Sequence, residues 1–425
     1  MKRQSAVISG WMKGILSLLL VLGASVVYGQ HEGALHDVHP EAMHVEEEGH
    51  GKEEHHGDFD LAAVAVHHIA NQNHYVIGPI GIPLPCILYA PEDGWTVCMS
   101  SVFGPDVAHH FDGHYAYRRY VMYGGTVYRV VGEDFPDDKV EVEGFVVRAD
   151  TVEGSSKEQL YVQYKGALYP LVPKSTFDAG LLGGGITGFY DFSISKNVVG
   201  MFVVAALLFW LFRRMARSYE SEEGMAPRGI NMLLEPIYEF IEKDVVKPFL
   251  GPKWEKYNPF LQSVFFFILG LNLFGQIPFF GSLNITGNLS VTLALALFTF
   301  FIVNLSGNRH YWQHVFWMPG VPSWVKVILT PVEFLSLFIK PTTLMFRLFA
   351  NILAGHLVLV IFVGLIFVFG KAGENTIASL ASAVPSILFS MFMMALELLV
   401  AFIQAFVFTI LSASYLGSAV EEAHH

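Results

Sequence analysis

A single arginine lies inside a strongly apolar run near the C-terminal end of the chain. Arg347 belongs to residues 327–370, a stretch with the hydropathy of a membrane segment. A charged side chain at the centre of a membrane helix costs roughly 2.5–3.5 kcal/mol on insertion scales. The guanidinium group does not lose its proton to escape that cost. Arg347 is therefore predicted to act on another charge within the membrane.

Further polar residues recur on the same helical face as Arg347. Positions 4, 7, 11 and 14 residues away fall within about 40° of it, at 100° per residue. Lipid does not tolerate such a stripe, so it is predicted to face protein or water. A lone serine or threonine in it more often only holds helices together. The stripe comprises Glu333, Ser336, Lys340, Thr343 and Asn351.

The last apolar run carries a second polar pair. Glu397 and Gln404 are seven residues apart and share one face of the run. His356, nine positions after Arg347 and on the opposite side of its helix, is the best candidate partner for Glu397. Such a pair titrates as a unit and is suited to relaying protons. The alternative is that these residues only hold the helices together.

The composition indicates a polytopic membrane protein. Of the 425 residues, 53% are apolar, and the mean hydropathy is +0.44. The chain has no basic face interleaved with aromatic residues, which argues against nucleic-acid binding. It also has no glycine-rich loop ending in Lys-Ser/Thr, so no nucleotide site and no cofactor are predicted.

Five apolar segments predict five membrane helices, with the N-terminus outside and the C-terminus in the cytoplasm. Arginines after the first segment place that end in the cytoplasm by the positive-inside rule. Residues 218–258 are predicted to include an amphipathic helix on the membrane surface. The last two segments are about twice the length of a straight span, so they should tilt or break, as Pro341 and Pro385 permit. The segments are 198–212, 259–280, 289–305, 327–370 and 377–417.

The N-terminal half is predicted to be exported. Residues 1–29 have the pattern of a signal peptide, the alternative being an uncleaved first helix. Residues 30–60 form a His/Glu-rich segment predicted to be disordered, although such tracts can also bind metal loosely. Residues 61–195 predict a small β-rich domain and a linker, and residues 196–425 a membrane channel domain. Short β-type runs recur at 75–80, 87–89, 117–123, 126–131, 140–147 and 160–164.

Three features of the exported domain carry more specific predictions. Gly124-Gly125 lies between two β-type runs and predicts a hairpin turn. The two cysteines, Cys86 and Cys98, lie in an oxidising compartment and can form a disulfide, although two buried thiols are an equal alternative. A histidine cluster fits no standard metal-ligand spacing and is interpreted as surface histidines, with a metal site as the alternative. The cluster is His109, His110 and His114, near Asp106 and Asp112.

The membrane motifs resemble those of subunit a, the proton-channel subunit of F-type ATP synthases. The resemblance is carried by residues 347–351 with Ala354-Gly355, by 404–408, by Asn272-Leu273-Phe274 with Pro278, and by 333–341. It covers roughly residues 195–425. Family members often place an acid nine residues after the arginine and a histidine seven before the glutamine, whereas here the order is reversed. Some also carry an acid where this chain has Gly275, and the exported part here is much longer than in compact members.

The resemblance implies a non-catalytic stator subunit that translocates protons and binds no ATP. Arg347 would separate two half-channels that reach a rotating c-ring from opposite sides. His356 and Glu397 would line the exported-side half-channel, with Asn351 and Gln404 nearby, and Glu333 and Ser336 would line the cytoplasmic one. The implied partners are the c-ring, the peripheral-stalk b subunits, the remaining ATP synthase subunits and the lipid of a bacterial inner membrane.

Three other functional classes remain as alternatives. A secondary transporter would usually show internal repeats, and none is visible between residues 197–306 and 327–417. A receptor or structural protein anchored by its helices would not need Arg347, His356 and Glu397. A proton-conducting subunit of a respiratory complex would use several membrane lysines, whereas Lys340 is the one candidate here.

Overall fold

The computed structural model describes residues 71–77, 80–106, 112–132, 134–152, 155–175, 188–221, 229–277, 283–318, 320–370 and 375–421. The predicted signal peptide, the His/Glu-rich segment, His109 and His110 lie outside the described residues. What is described divides into a β domain, residues 71–195, and a helical region from Lys196 onward.

The β domain contains short antiparallel strands in small sheets. The largest sheet has five strands in the order β11-β12-β13-β9-β8, and a three-stranded sheet has the order β14-β3-β4. The pairs β1–β2, β5–β6 and β7–β10 complete the domain. The strands are β1 (His74–Ile77), β2 (Ile80–Pro83), β3 (Pro85–Ala90), β4 (Gly94–Met99), β5 (Pro105–Asp106), β6 (Asp112–Gly113), β7 (Tyr115–Ala116), β8 (Tyr120–Tyr123), β9 (Thr126–Val130), β10 (Val140–Glu141), β11 (Gly144–Val152), β12 (Ser155–Tyr164), β13 (Ala167–Val172) and β14 (Tyr190–Asp191).

The predicted hairpin at Gly124-Gly125 is present between β8 and β9. Tyr123 pairs with Thr126, and the two glycines have φ values of +56° and +76°. Both values lie in the left-handed region that glycine reaches without a steric penalty, as a type I′ turn requires. The predicted run 140–147 is split into β10 and β11. Strands β2, β4, β5, β6, β7, β13 and β14 were not predicted.

The helical region contains eight α-helices within its described residues. A π-helical segment, Ile241–Val246, joins α2 to α3, and a 3-10 turn, Gly251–Lys253, joins α3 to α4. The helices are α1 (Lys196–Ser221), α2 (Asn231–Phe240), α3 (Lys247–Leu250), α4 (Trp254–Gln276), α5 (Leu289–Ser306), α6 (Arg309–Trp317), α7 (Ser323–Phe369) and α8 (Thr376–Val420).

Five stretches of helix are long and apolar enough to cross a membrane: α1, the continuous run from α2 to α4, α5, α7 and α8. The predicted class, a polytopic helical membrane protein with a β-rich N-terminal domain, is confirmed. One detail differs, because the amphipathic segment continues into the second span. The apolar side chains of this segment do not share one environment, since Met232 and Leu233 are exposed whereas Ile241 is fully buried.

The two long helices, α7 and α8, are continuous at Pro341 and Pro385. A proline inside a helix leaves backbone carbonyl groups of the preceding turn without their usual partner. Hydroxyl groups next to Pro341 donate to carbonyls of that turn: Thr342 Oγ1 to Phe338 O at 2.7 Å and Thr343 Oγ1 to Ile339 O at 2.8 Å. Such side-chain bonds are a known way in which membrane helices tolerate proline.

The helical region has a packed centre and an open flank. In the most apolar window of the α2–α4 run, 72% of residues are buried, whereas the corresponding share is 6% in α7 and 11% in α8. The α4 helix packs between α1 and α8, with Phe266 against Phe212 and Phe265 against Phe402. The exposed apolar faces of α7 and α8 are therefore available to lipid or to another protein.

Candidate functional site

Two cavities lie beside α7, one on each side of Arg347 along the helix. We call the end next to the β domain the domain side and the end where α8 finishes the tail side. The larger cavity, on the domain side, has a volume of about 160 Å³, which is room for several water molecules. Its polar lining residues are Asn272, Gln276, Asn284, Thr286, Asn351, His356 and Glu397.

Glu397 reaches this cavity from α8 and His356 reaches it from α7. The predicted partners thus line one polar cavity, although they come from different helices. Gly355 allows Glu397 to lie close to α7, since a methyl group built on Gly355 would stand 3.0 Å from Glu397 Oε1 and 3.2 Å from its Cγ. The glycine of the Ala354-Gly355 motif therefore makes room for the acid.

Asn272 ties together three elements around the domain-side cavity. Its amide nitrogen donates to Ala401 O on α8 at 3.2 Å, and its amide oxygen accepts from Thr286 Oγ1 at 2.7 Å. Thr286 belongs to the loop before α5, and Asn288 caps that helix by accepting from Ser290 N at 3.0 Å. Because Asn272 is only 3% exposed, its hydrogen bonds fix the cavity wall in place.

The cavity-lining loop also explains Gly275. A methyl group built on Gly275 would lie 2.5 Å from Leu283 O, so no side chain fits there while the loop keeps its position. Some members of the family that this chain resembles carry an acid at the corresponding place. Here the neighbouring polar groups come instead from Gln276 and Asn284.

The smaller cavity, on the tail side, has a volume of about 20 Å³, enough for about one water molecule. Lys340 on α7 and Tyr415 on α8 line it, with the Lys340 Nζ atom 5.4 Å from the centre of the Tyr415 ring. Tyr311 Oη donates to Asn304 Oδ1 at 3.1 Å on its opposite wall. This cavity contains a cation and hydroxyl groups but no carboxylate.

Arg347 lies on α7 between the residues that line the two cavities. Leu344, one turn before it, lines the tail-side cavity, and Asn351, one turn after it, lines the domain-side cavity. Arg347 itself is half-buried and lines neither cavity.

The remaining predicted site residues lie outside both cavities. Gln404 is 8% exposed and lies two turns along α8 from Glu397. Glu333 and Ser336 are half-buried on α7, between its start and the tail-side cavity. They line neither of the two cavities, so a channel at these residues would need a wall from another subunit.

Sequence reasoning missed Gln276, Asn284 and Thr286 as lining residues. Asn284 and Thr286 lie in a loop that was predicted only to be exported, and short polar loops of this kind are common. The usable signal was the absence of any charged residue from 281 to 288, since a neutral polar loop is suited to a water-filled wall.

The structure bears on two predictions for the β domain, the cysteine pair and the histidine cluster. Cys86 and Cys98 are directly opposite each other in the pairing of β3 with β4, and both are free thiols in this structure. A hydrogen bond with Cys98, together with burial, raises the pKa of Cys86, whereas that hydrogen bond and the charge of Arg118 lower the pKa of Cys98. The disulfide stays a prediction. Among the described residues, no three His, Cys, Asp or Glu side chains are grouped as metal ligands would be.

Comparisons with known proteins agree with the membrane motifs. Residues 198–417, which are 220 of the 425 residues, match the family model described as ATP synthase A chain. ATP synthase subunit a of Chloroherpeton thalassium is 39% identical over 242 residues, which cover 56% of this chain and 70% of that protein. ATP synthase subunit a of Chlorobium phaeobacteroides is 37% identical over 246 residues, covering 56% and 69%. The protein of the same name from Myxococcus xanthus is 38% identical over 260 residues, covering 60% and 81%.

The β domain has its own match, because residues 64–150 fit a family model described as a domain of unknown function. The match to the membrane family covers more than half of the chain. The relatives align with it over more than two thirds of their own length. The chain therefore belongs to the ATP synthase subunit a family.

Proposed function

We propose that this chain is the proton-translocating stator subunit of a rotary F-type ATP synthase, with two half-channels separated by Arg347. One half-channel is the domain-side cavity, and the other runs along α7 past Ser336 and Glu333 on the tail side. Protons that pass through both are carried between them by carboxylates of a rotating c-ring, and the rotation drives ATP synthesis elsewhere in the complex.

The observation that carries this proposal is the order of residues along α7. Residues that line the tail-side cavity, Arg347, and residues that line the domain-side cavity follow one another at intervals of one turn. A fixed cation at that point favours the ionised form of a passing carboxylate. It also repels a proton that would cross directly from one cavity to the other.

The domain-side half-channel is proposed to relay protons through Glu397 and His356. Both groups line the same cavity, and that cavity has room for water to connect them. A carboxyl group and an imidazole can each take up and release a proton. Asn351 adds an uncharged hydrogen-bonding group one turn from Arg347, and Gln404 continues the polar face of α8.

The exposed flank of α7 and α8 is the proposed binding surface for the c-ring. Large apolar side chains on it, including Phe346, Leu388 and Met391, are about half or more exposed. A second membrane subunit would cover them and would also supply the missing wall beside Glu333 and Ser336. The peripheral-stalk b subunits and the remaining ATP synthase subunits complete the proposed set of partners.

The proposed location is a bacterial inner membrane, with the β domain in the periplasm and the C-terminal tail in the cytoplasm. Three arginines near the end of α1 support this orientation: Arg213, Arg214 and Arg217. The N-terminal signal peptide proposed for residues 1–29 would direct the β domain across the membrane.

The substitution Glu397→Gln tests the proposed relay. The amide is similar in size but cannot exchange a proton, so proton flow is expected to slow by roughly 100-fold in both directions while the complex still assembles. ATP-driven acidification and acid-driven ATP synthesis would be measured on the same proteoliposomes. Normal pumping by an assembled Glu397→Gln complex would exclude the domain-side cavity as the half-channel.

A further inference from the structure

The β domain is built into the same hydrophobic core as the membrane helices. Tyr75 and Leu84, each 5% exposed, belong to the buried cluster that contains the core residues of α1, α4 and α8. The remaining buried apolar side chains of the β domain form two separate clusters of their own, one of which contains Leu160. The domain is therefore joined to the helical region by packing as well as by the chain.

Hydrogen bonds hold the first residues of α1 against the β domain. Ile194 N donates to Pro85 O at 3.1 Å, and Lys196 N donates to Gln72 O at 3.0 Å. Asn197 N donates to Asn71 Oδ1 at 3.4 Å. These bonds fix the start of α1, since they satisfy amide groups that have no partner within the helix.

The start of α1 in turn supports the loop that lines the domain-side cavity. A methyl group built on Gly200 would lie 2.8 Å from Ile285 Cδ1 and 3.2 Å from Leu283 Cδ1, so these side chains rest directly on the glycine. Leu283 O rests on Gly275 of α4 in the same way. Leu283, Asn284 and Thr286 then form one wall of the cavity. The loop is thus held between α1 and α4.

We propose that the β domain is a brace for proton uptake: through α1 it sets the position of residues 283–286 and so keeps the domain-side cavity open to water. Leu84 and Gly200 are the positioning residues of this device, and neither handles a proton itself. The inference rests on the proposed function, because it concerns the same half-channel. It gives the β domain a role in the rate of proton uptake.

The chain offers a matched pair of variants to test the brace. Leu84→Ala and Leu160→Ala remove the same atoms from sites that are both 5% exposed, so each should destabilise the β domain to a similar degree. Only Leu84 belongs to the core that is shared with the helices. A difference between the two variants therefore reports on the junction and not on the stability of the domain.

The experiment uses the whole complex in acid-loaded proteoliposomes, with the rate of ATP synthesis measured per assembled complex against the pH on the domain side. Leu84→Ala is expected to lower the rate several-fold to roughly tenfold. Its half-saturating pH should move toward acid, because proton uptake becomes limiting and needs a higher proton concentration. Leu160→Ala is expected to keep the wild-type rate and pH profile. Equal effects of the two variants, or none from Leu84→Ala, would overturn the brace.

A second set of variants covers the case in which Leu84→Ala fails to assemble. Gly200→Leu is expected to slow uptake by displacing Ile285, and Gly200→Leu with Ile285→Ala is expected to recover most of the rate because the smaller side chain relieves the clash. Unchanged uptake in the Gly200→Leu complex, or no recovery in the double variant, contradicts the proposal.

Failure of the brace and failure of the proposed function are distinguishable. If Glu397→Gln pumps normally while Leu84→Ala has an altered pH profile, the half-channel assignment is wrong. The β domain would then still influence proton transport. Blocked pumping by Glu397→Gln with a wild-type profile in Leu84→Ala would sink the brace alone.

Discussion

The two cavities beside α7 differ in size and in chemistry. The domain-side cavity measures about 160 Å³ and contains both Glu397 and His356. The tail-side cavity measures about 20 Å³ and contains Lys340 but no acid. On the tail side the acid of the stripe, Glu333, lies outside the enclosed space.

We infer from this difference that this chain alone forms the domain-side path, whereas another subunit completes the tail-side path. On the domain side, this chain alone supplies both titratable groups that line the cavity, Glu397 and His356. A path that lies between two chains appears in one of them only as an exposed polar stripe. We therefore expect single substitutions to lower proton pumping strongly on the domain side and weakly at Lys340.

The largest effect is expected from filling the space that Glu397 occupies. Gly355→Val would push the carboxylate away from α7, because even a single methyl group would stand 3.0 Å from its Oε1. A displacement of about 1 Å can cost roughly 100-fold in rate, so ATP-driven pumping per complex should fall to near background. Gly355→Ala should be intermediate, and the shorter acid in Gly355→Ala with Glu397→Asp should recover part of the loss. Wild-type pumping by Gly355→Val would show that close approach of the acid to α7 is unimportant.

A smaller effect is expected from Lys340→Met, which keeps the length of the side chain and removes its charge. The loss of the contact with the Tyr415 ring, with the nitrogen 5.4 Å from its centre, should cost about 0.5–2 kcal/mol of stability. Pumping per assembled complex should fall by less than about threefold, since that contact is not a proton relay. Thermal unfolding of the purified complex and acidification assays would measure the two effects. A block as complete as that of Glu397→Gln would favour the alternative class of lysine-based proton channels.

The two cysteines are expected to affect activity least. Their oxidation state nevertheless tests which side of the membrane the β domain lies on. The paired strands place their Cα atoms about 4.5–5.5 Å apart, within the range of a disulfide. If the domain side is oxidising, the denatured chain should bind no maleimide before reduction and two after it, because the chain has only Cys86 and Cys98. Two maleimides bound without reduction would contradict the disulfide. Once both thiols of the folded protein have been reduced, Cys98 should be alkylated before Cys86, since a hydrogen bond with Cys86 and the charge of Arg118 lower the pKa of Cys98.

The membrane helices were predictable from the sequence because long apolar runs have few alternatives in a bilayer. The hairpin at Gly124-Gly125 was predictable because its backbone conformation selects glycine. Strand β4 was missed because it carries Trp95, Val97 and Met99 on an exposed face, which reverses the usual alternation. The whole of the β domain beyond such local signals depends on pairing between distant residues.

The candidate site was predictable where a charge stands alone in an apolar run, as at Arg347, His356 and Glu397. It was not predictable where packing between distant segments places uncharged side chains in the cavity wall. Asn284 and Thr286 line the cavity only because Leu283 and Ile285 are held between Gly275 and Gly200. The spacing of residues within one segment does not predict a contact between a loop and two helices.

Substitution of Arg347 tests whether this residue separates the two proposed proton paths. ATP-driven acidification would be recorded in inverted membrane vesicles carrying Arg347→Ala, with assembly of the complex verified by blotting. We expect a fully assembled complex in which proton pumping is abolished, because the positive charge of Arg347 no longer separates the two half-channels. Undiminished pumping by the assembled Arg347→Ala complex would contradict this expectation and reduce the arginine to a structural part of α7.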